Sequence, residues 1–204
     1  MKHWSTVVLM LALSFVIGIM THGMFTAAAT PLTPQPPATA QPLATVAGAC
    51  ERDLNFIEKQ IVAAAEAMPE DKYDFTPESL HIKGSAFDGV RTFGQQVRHL
   101  AADNYAMWSP VAGQAPPPGL NDPEGPYELR KKADIIKFLK GSFALGHKAI
   151  GSLTTQNEVD MLPFRGRDLP RLFLANFALT HANDHYGQMV VYLRMNGIVP
   201  PGSM

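Results

Sequence analysis

The sequence has a single cysteine, Cys50. No internal disulfide framework is available to it, and its core must hold by packing alone. Charge is also sparse. Charged residues make up 17% of the chain and the formal net charge is −1. No basic field is present to attract nucleic acid, and none of the binding classes that depend on one is indicated. A run of apolar residues long enough to approach a bilayer's thickness occurs only near the N-terminus. The chain is not short of apolar residues overall (46%), and that suffices for one packed domain with additional segments.

Proline is plentiful, and most of it falls in three clusters, at 31–42, 110–126 and 200–201. Residues 1–29 have the pattern of an export signal. Lys2 gives a positive start, residues 7–20 are apolar and uncharged, and Ala27, Ala28 and Ala29 offer a small-residue cleavage site. The alternative is a retained membrane anchor over residues 7–25, weakened by Thr21, His22 and Gly23. Residues 30–49, rich in Pro, Ala, Thr and Gln, read as a linker that buries too little to order itself. The globular part is expected over residues 50–200, exported to the periplasm or medium, or tethered if the anchor is retained.

Four segments then show helical periodicity. Over 51–68, Leu54, Ile57, Ile61, Ala64, Ala65 and Met68 form one stripe, and Pro69 ends it. Cys50 reads as a small residue at the entry of this helix. Over 92–109, Thr92 can cap and Phe93, Val97, Leu100, Asn104 and Met107 face inward. Over 128–150, Leu129, Ile136, Leu139, Phe143 and Ile150 repeat at helical spacing, with Lys131, Lys132, Lys137 and Lys140 on a solvated face. The last helix follows Pro170, with Asp168 as its expected cap and Gly197 beyond its end. Four amphipathic helices without convincing strand alternation predict an all-α four-helix bundle with long crossover connections. Between the third and fourth, residues 159–164 suit a short extended piece, and Arg165, Gly166 and Arg167 a basic turn that either binds an anion or, the preferred reading, is simply exposed.

The chemistry concentrates in the last helix. His181 and His185 are four residues apart and share one face. With Phe177, Gln188, Tyr192 and Met195 they follow the spacing of a buried stripe. A buried imidazole is costly unless its nitrogens have partners, and two neutral imidazoles with a third make a ligand set for a divalent metal. His99, at the edge of the second helix's inner stripe, is the preferred third ligand, ahead of His147 on the third helix. His81 lies in a loop and reads as solvated. Asp103, one turn beyond His99, has two readings: an acceptor that holds the His99 imidazole, or a solvent-facing carboxylate. Gln188 either orients a ligand or bonds within the core. Asp184 is expected at the surface, and Asn104 and Tyr186 have no assigned role. Three neutral imidazoles leave a divalent ion net positive with an open position, where a water loses a proton near neutral pH and a thiol ionises. Two other readings are a non-catalytic exported binding bundle and a purely structural one in which the histidines bond to one another.

The segments RTFGQQVRHLA at 91–101, HANDHYGQM at 181–189 and YLRMNGIVPP at 192–201 resemble the DinB-like superfamily. The resemblance extends over about residues 50–200. It implies a four-helix bundle of unusual helix order, dimeric, with three histidines holding zinc or nickel; these fall on His99, His181 and His185. It also implies relatives that are thiol S-transferases or a thiol-dependent maleylpyruvate isomerase, so the expected activity is that of a metal-dependent hydrolase or thiol S-transferase acting on a small molecule. The export signal departs from the family's usual cytosolic setting, and with it from a cytosolic thiol cofactor.

Overall fold

The computed structural model describes residues 44–120 and 122–203. The signal or anchor reading of residues 1–29 and the linker up to residue 43 lie outside the described residues. Among the described residues are four α-helices: α1 (Val46–Ala67), α2 (Phe93–Val111), α3 (Lys132–Gly151) and α4 (Arg171–Met195). A two-stranded antiparallel hairpin, β1 (Met161–Phe164) and β2 (Arg167–Pro170), precedes α4. None of these helices is long and apolar enough to cross a membrane.

Helix α2 packs against α3 and α4, and α1 against the same two. Helices α1 and α2 are therefore diagonal partners, and residues 68–92 must cross the end of the bundle to join them. The second diagonal, α3 to α4, is spanned by residues 152–170, which carry the hairpin. Only α2 to α3 links neighbours. The shared interior holds Leu54, Ile57 and Ile61 from α1, Phe93 and Trp108 from α2, Leu139 and Phe143 from α3, and Leu174 from α4, all fully buried. Helix α2 is the central element, with buried residues on nearly every side. That is why polar side chains on it end up inside the protein.

The helix boundaries have local causes. Thr45 accepts from the Gly48 amide at 2.9 Å, so α1 starts five residues before the expected position and takes residues 46–49 out of the linker. Cys50 thus lies inside the helix, buried, and burial followed by the nearby Asp53 charge raises its thiol pKa; it is a packing residue. Thr92 and Gln95 form a reciprocal capping box at the start of α2, with contacts of 3.2 and 2.7 Å. Pro110 falls within the last turn of α2 rather than after it. Residues 128–131 stay out of α3, where the Leu129 amide turns back to the Pro126 carbonyl. Asp168 does not cap α4. It is paired with Pro163 in the hairpin, and the first amides of α4 are taken by chain carbonyls instead, Arg171 by Asp160 and Leu172 by Glu158, both at 2.8 Å.

The hairpin turn is two residues long. Arg165 (φ 48°) and Gly166 (φ 77°) both adopt positive φ, which matches the twist of the flanking strands. Arg165 is thereby held at the tip, facing α2.

Candidate metal centre

Helix α4 does not bury the stripe expected of it. Its inward residues are Leu174, Ala175, Ala178, Leu179, Ala182, His185, Met189, Tyr192 and Leu193. Phe177 is 40% exposed, and its ring lies 6.3 Å from that of the half-buried His181. The two histidines therefore straddle the border between core and surface: His185 is inside, and His181 is at the rim. His99 on α2 is buried opposite them.

The three imidazoles converge. Ring centroids are 4.5 Å apart for His181 and His185, 4.8 Å for His99 and His185, and 5.6 Å for His99 and His181. One ring nitrogen from each lies within 4.8 Å of the other two. The Nε2 atoms of His181 and His185 are 3.2 Å apart. Neighbouring nitrogens about 2.0–2.1 Å from one tetrahedral ion are separated by about 3.3 Å.

The outward nitrogens are fixed by the fold. The Nδ1 of His99 donates to the Pro123 carbonyl at 2.5 Å, and the Nδ1 of His185 donates to Gln96 Oε1 at 3.0 Å. Each of these bonds leaves Nε2 with a lone pair turned toward the cluster. Burial, then the neighbouring His181 and His99 charges, lower the pKa of His185 to about 3. Burial likewise lowers that of His181, against the opposing pull of Asp103. Both are neutral at pH 7, the form that binds metal. The Nδ1 of His181 is buried without a partner among the described residues. A hydrogen bond between His181 and His185 alone would use one proton for several inward lone pairs. A cation satisfies them all, so this donor set fits a divalent metal better than it fits a purely structural network.

Asp103 does not face solvent: it is buried, with Oδ2 3.8 Å from His99 Nε2, while the outward nitrogen of His99 belongs to Pro123. Its Oδ1 accepts from Arg165 at 2.5 Å, while its Oδ2 faces the cluster, 3.4 Å from His181 Nε2. The expected exposed turn is thus half of an ion pair. His147 is not part of the cluster. It sits between α1 and α3 with Glu51 and Glu58 each 2.7 Å from one ring nitrogen. Burial alone would lower its pKa, but the two carboxylates raise it. His81 is exposed in its loop. Gln188 accepts from Gln96 and donates to the exposed Asp184 at 2.9 Å, so it bonds within a polar chain, not to the cluster. Asn104 is buried and donates to Ser142 at 3.1 Å.

Two depressions flank the cluster. On the Nδ1 side, a polar pocket of about 470 Å³ is lined by Arg91, Gln95, Gln96, Glu124 and Gln188. Arg91 and Glu124 form a bidentate ion pair there. On the Asp103 side, a cleft of about 410 Å³ runs between α2, the hairpin and the proline-rich loop. Ala102, Ala106, Pro110, Leu120 and Phe164 give it an apolar wall, and Asp103 and Arg165 stand at its inner end.

Gln96 and Pro123 carry no role in the sequence analysis, whereas the three histidines and an inward Asp103 are among its readings. Gln96 lies three residues before His99, and that spacing was its only available signal. If it holds His185 in place, Gln96→Leu should weaken divalent-metal binding by about 10–100-fold with the helical content unchanged. A chelator-competition titration measures this.

Residues 53–189 match the DinB superfamily. The chain belongs to that superfamily. Its fold is similar to that of a DinB-like protein from Bacillus cereus ATCC 10987, with 17% sequence identity, a TM-score of 0.62, and coverage of 78% of this chain and 98% of that one. No curated protein matches.

Proposed function

We propose that the protein is an exported metalloenzyme that binds one zinc or nickel ion through His99, His181 and His185 and acts on a small molecule held in the cleft beside Asp103. The observation that carries this reading is the convergence of three imidazoles, one ring nitrogen of each within 4.8 Å of the others, with Nδ1 of His99 and of His185 held outward by hydrogen bonds. The bound ion would supply positive charge to acidify a water or a thiol brought to it. The chain's own residues do the rest. Pro123 and Gln96 hold the rings, and the apolar wall of the cleft positions a substrate's carbon skeleton. Hydrolysis and transfer to a thiol both suit this arrangement, the first through a metal-acidified water and the second through the resemblance to thiol S-transferases. The N-terminal pattern supports export, and the resemblance noted in the sequence implies a homodimer.

The test is a panel of small esters, amides and thiol-reactive electrophiles, the last with and without low-molecular-weight thiols, assayed with zinc- or nickel-loaded protein. Turnover by loaded protein that disappears in His185→Ala is the expected result. Tight metal uptake with no turnover across the panel would favour a non-catalytic binding bundle.

A further inference from the structure

Asp103 is a buried carboxylate on a helix that is otherwise mostly apolar inside, a costly placement without a counter-charge. Arg165 provides one, but only to Oδ1, and from a half-exposed position. The other oxygen turns away from Arg165 toward the histidines. It is 3.4 Å from His181 Nε2 and 3.8 Å from His99 Nε2. These separations resemble the 3.2 Å between the Nε2 atoms of His181 and His185. They are the spacing of neighbouring donors around one ion, about 3.3 Å for a tetrahedral site.

A carboxylate that supports a metal-bound imidazole from outside sits on the ring nitrogen pointing away from the ion. Those outer places are already filled, by Pro123 at His99 and by Gln96 at His185. Asp103 faces the inner nitrogens instead. That of His99 carries a lone pair, and a carboxylate beside a lone pair is repelled unless a cation lies between them.

We infer that Asp103 is a fourth protein ligand of the metal centre, binding through Oδ2, with Arg165 of the hairpin turn fixing Oδ1 and limiting the carboxylate to one contact. This rests on the metal reading above. It adds a hard oxygen donor to three imidazoles, lowers the net charge of the centre by one, and means that a water or thiol would enter as a fifth ligand. It also ties the site to the hairpin, because the residue that restrains the ligand is the positive-φ residue at the turn. Asp103 lines the cleft, so a molecule entering there arrives beside this carboxylate.

Cobalt(II) reports both affinity and donor set, through chelator competition and visible absorption. The full-length chain and the variants Asp103→Ala, Asp103→Asn and His181→Ala are titrated, with circular dichroism confirming the fold. Asp103→Asn keeps the side-chain volume should Asp103→Ala fail to fold. We expect both Asp103 variants to retain cobalt with at least about tenfold weaker affinity and an altered absorption band, and His181→Ala to lose it. Cobalt binding by the Asp103 variants with the affinity and band of the unaltered chain overturns this inference and leaves the three-histidine site standing. No cobalt uptake by the unaltered chain overturns both.

Discussion

Replacing His181 by Ala is expected to abolish tight binding of a divalent ion while the bundle stays folded. His181 lies at the rim of the core, so truncating it opens little cavity. It nevertheless supplies a donor 3.2 Å from that of His185. The loss should exceed the 10–100-fold typical of an outer partner, so affinity should fall at least about a hundredfold. Thermal unfolding gives an independent reading. Metal at about 100 times its dissociation constant should stabilise the unaltered chain by about 2.7 kcal/mol and leave the variant unmoved. His185→Ala should act the same way on binding, with an added cost from its buried position. Equal stabilisation of both variants by metal would place the ion elsewhere.

The second large effect is acid destabilisation of the metal-free protein. The pKa of His185 falls to about 3 in the folded state, chiefly through burial. The unfolded chain takes up its proton near the ordinary value of about 6.5. Between these values the unfolded state holds more protons, so stability rises with pH across that window. It is complete above about 6.5 and is lost as the pH falls toward 3. The full window corresponds to on the order of 5 kcal/mol. His181 shifts in the same direction and adds to the slope. His147 works the other way. Its pKa is raised by Glu58 and Glu51, so its contribution is present below about 6.5 and fades as pH rises through its folded value. That site is partly solvated, and its effect is small beside that of His185. Denaturant midpoints between pH 7.5 and 4 should therefore fall steeply for the unaltered chain and less so for His185→Gln. A midpoint independent of pH over that range would contradict the buried neutral state of His185.

The helices were legible because their apolar residues recur at helical spacing, and the His181–His185 pair because four residues return to one face. The facing of α4 was harder to read. Phe173, Phe177 and Val191 are apolar but exposed, so they competed with the true inward positions and drew the expected stripe toward Phe177 and Met195. The start of α1 lay inside a Pro- and Ala-rich composition that read as linker, although Thr45 was available as a cap. The start of α4 depended on carbonyls of Asp160 and Glu158, which no side-chain pattern announces. The partners of the histidines are tertiary. Pro123 reaches His99 from 24 positions away in a loop, and Arg165 reaches Asp103 across 62 positions. Periodicity within one helix carries no information about either contact.

The central claim is that imidazoles 99, 181 and 185 share one ion. Anomalous-scattering maps from crystals grown with zinc test it most directly. The account predicts one strong peak per chain, about 2.0–2.1 Å from a ring nitrogen of each of these three histidines. The absence of a peak there, or a peak only at His147 with its two glutamates, would contradict it.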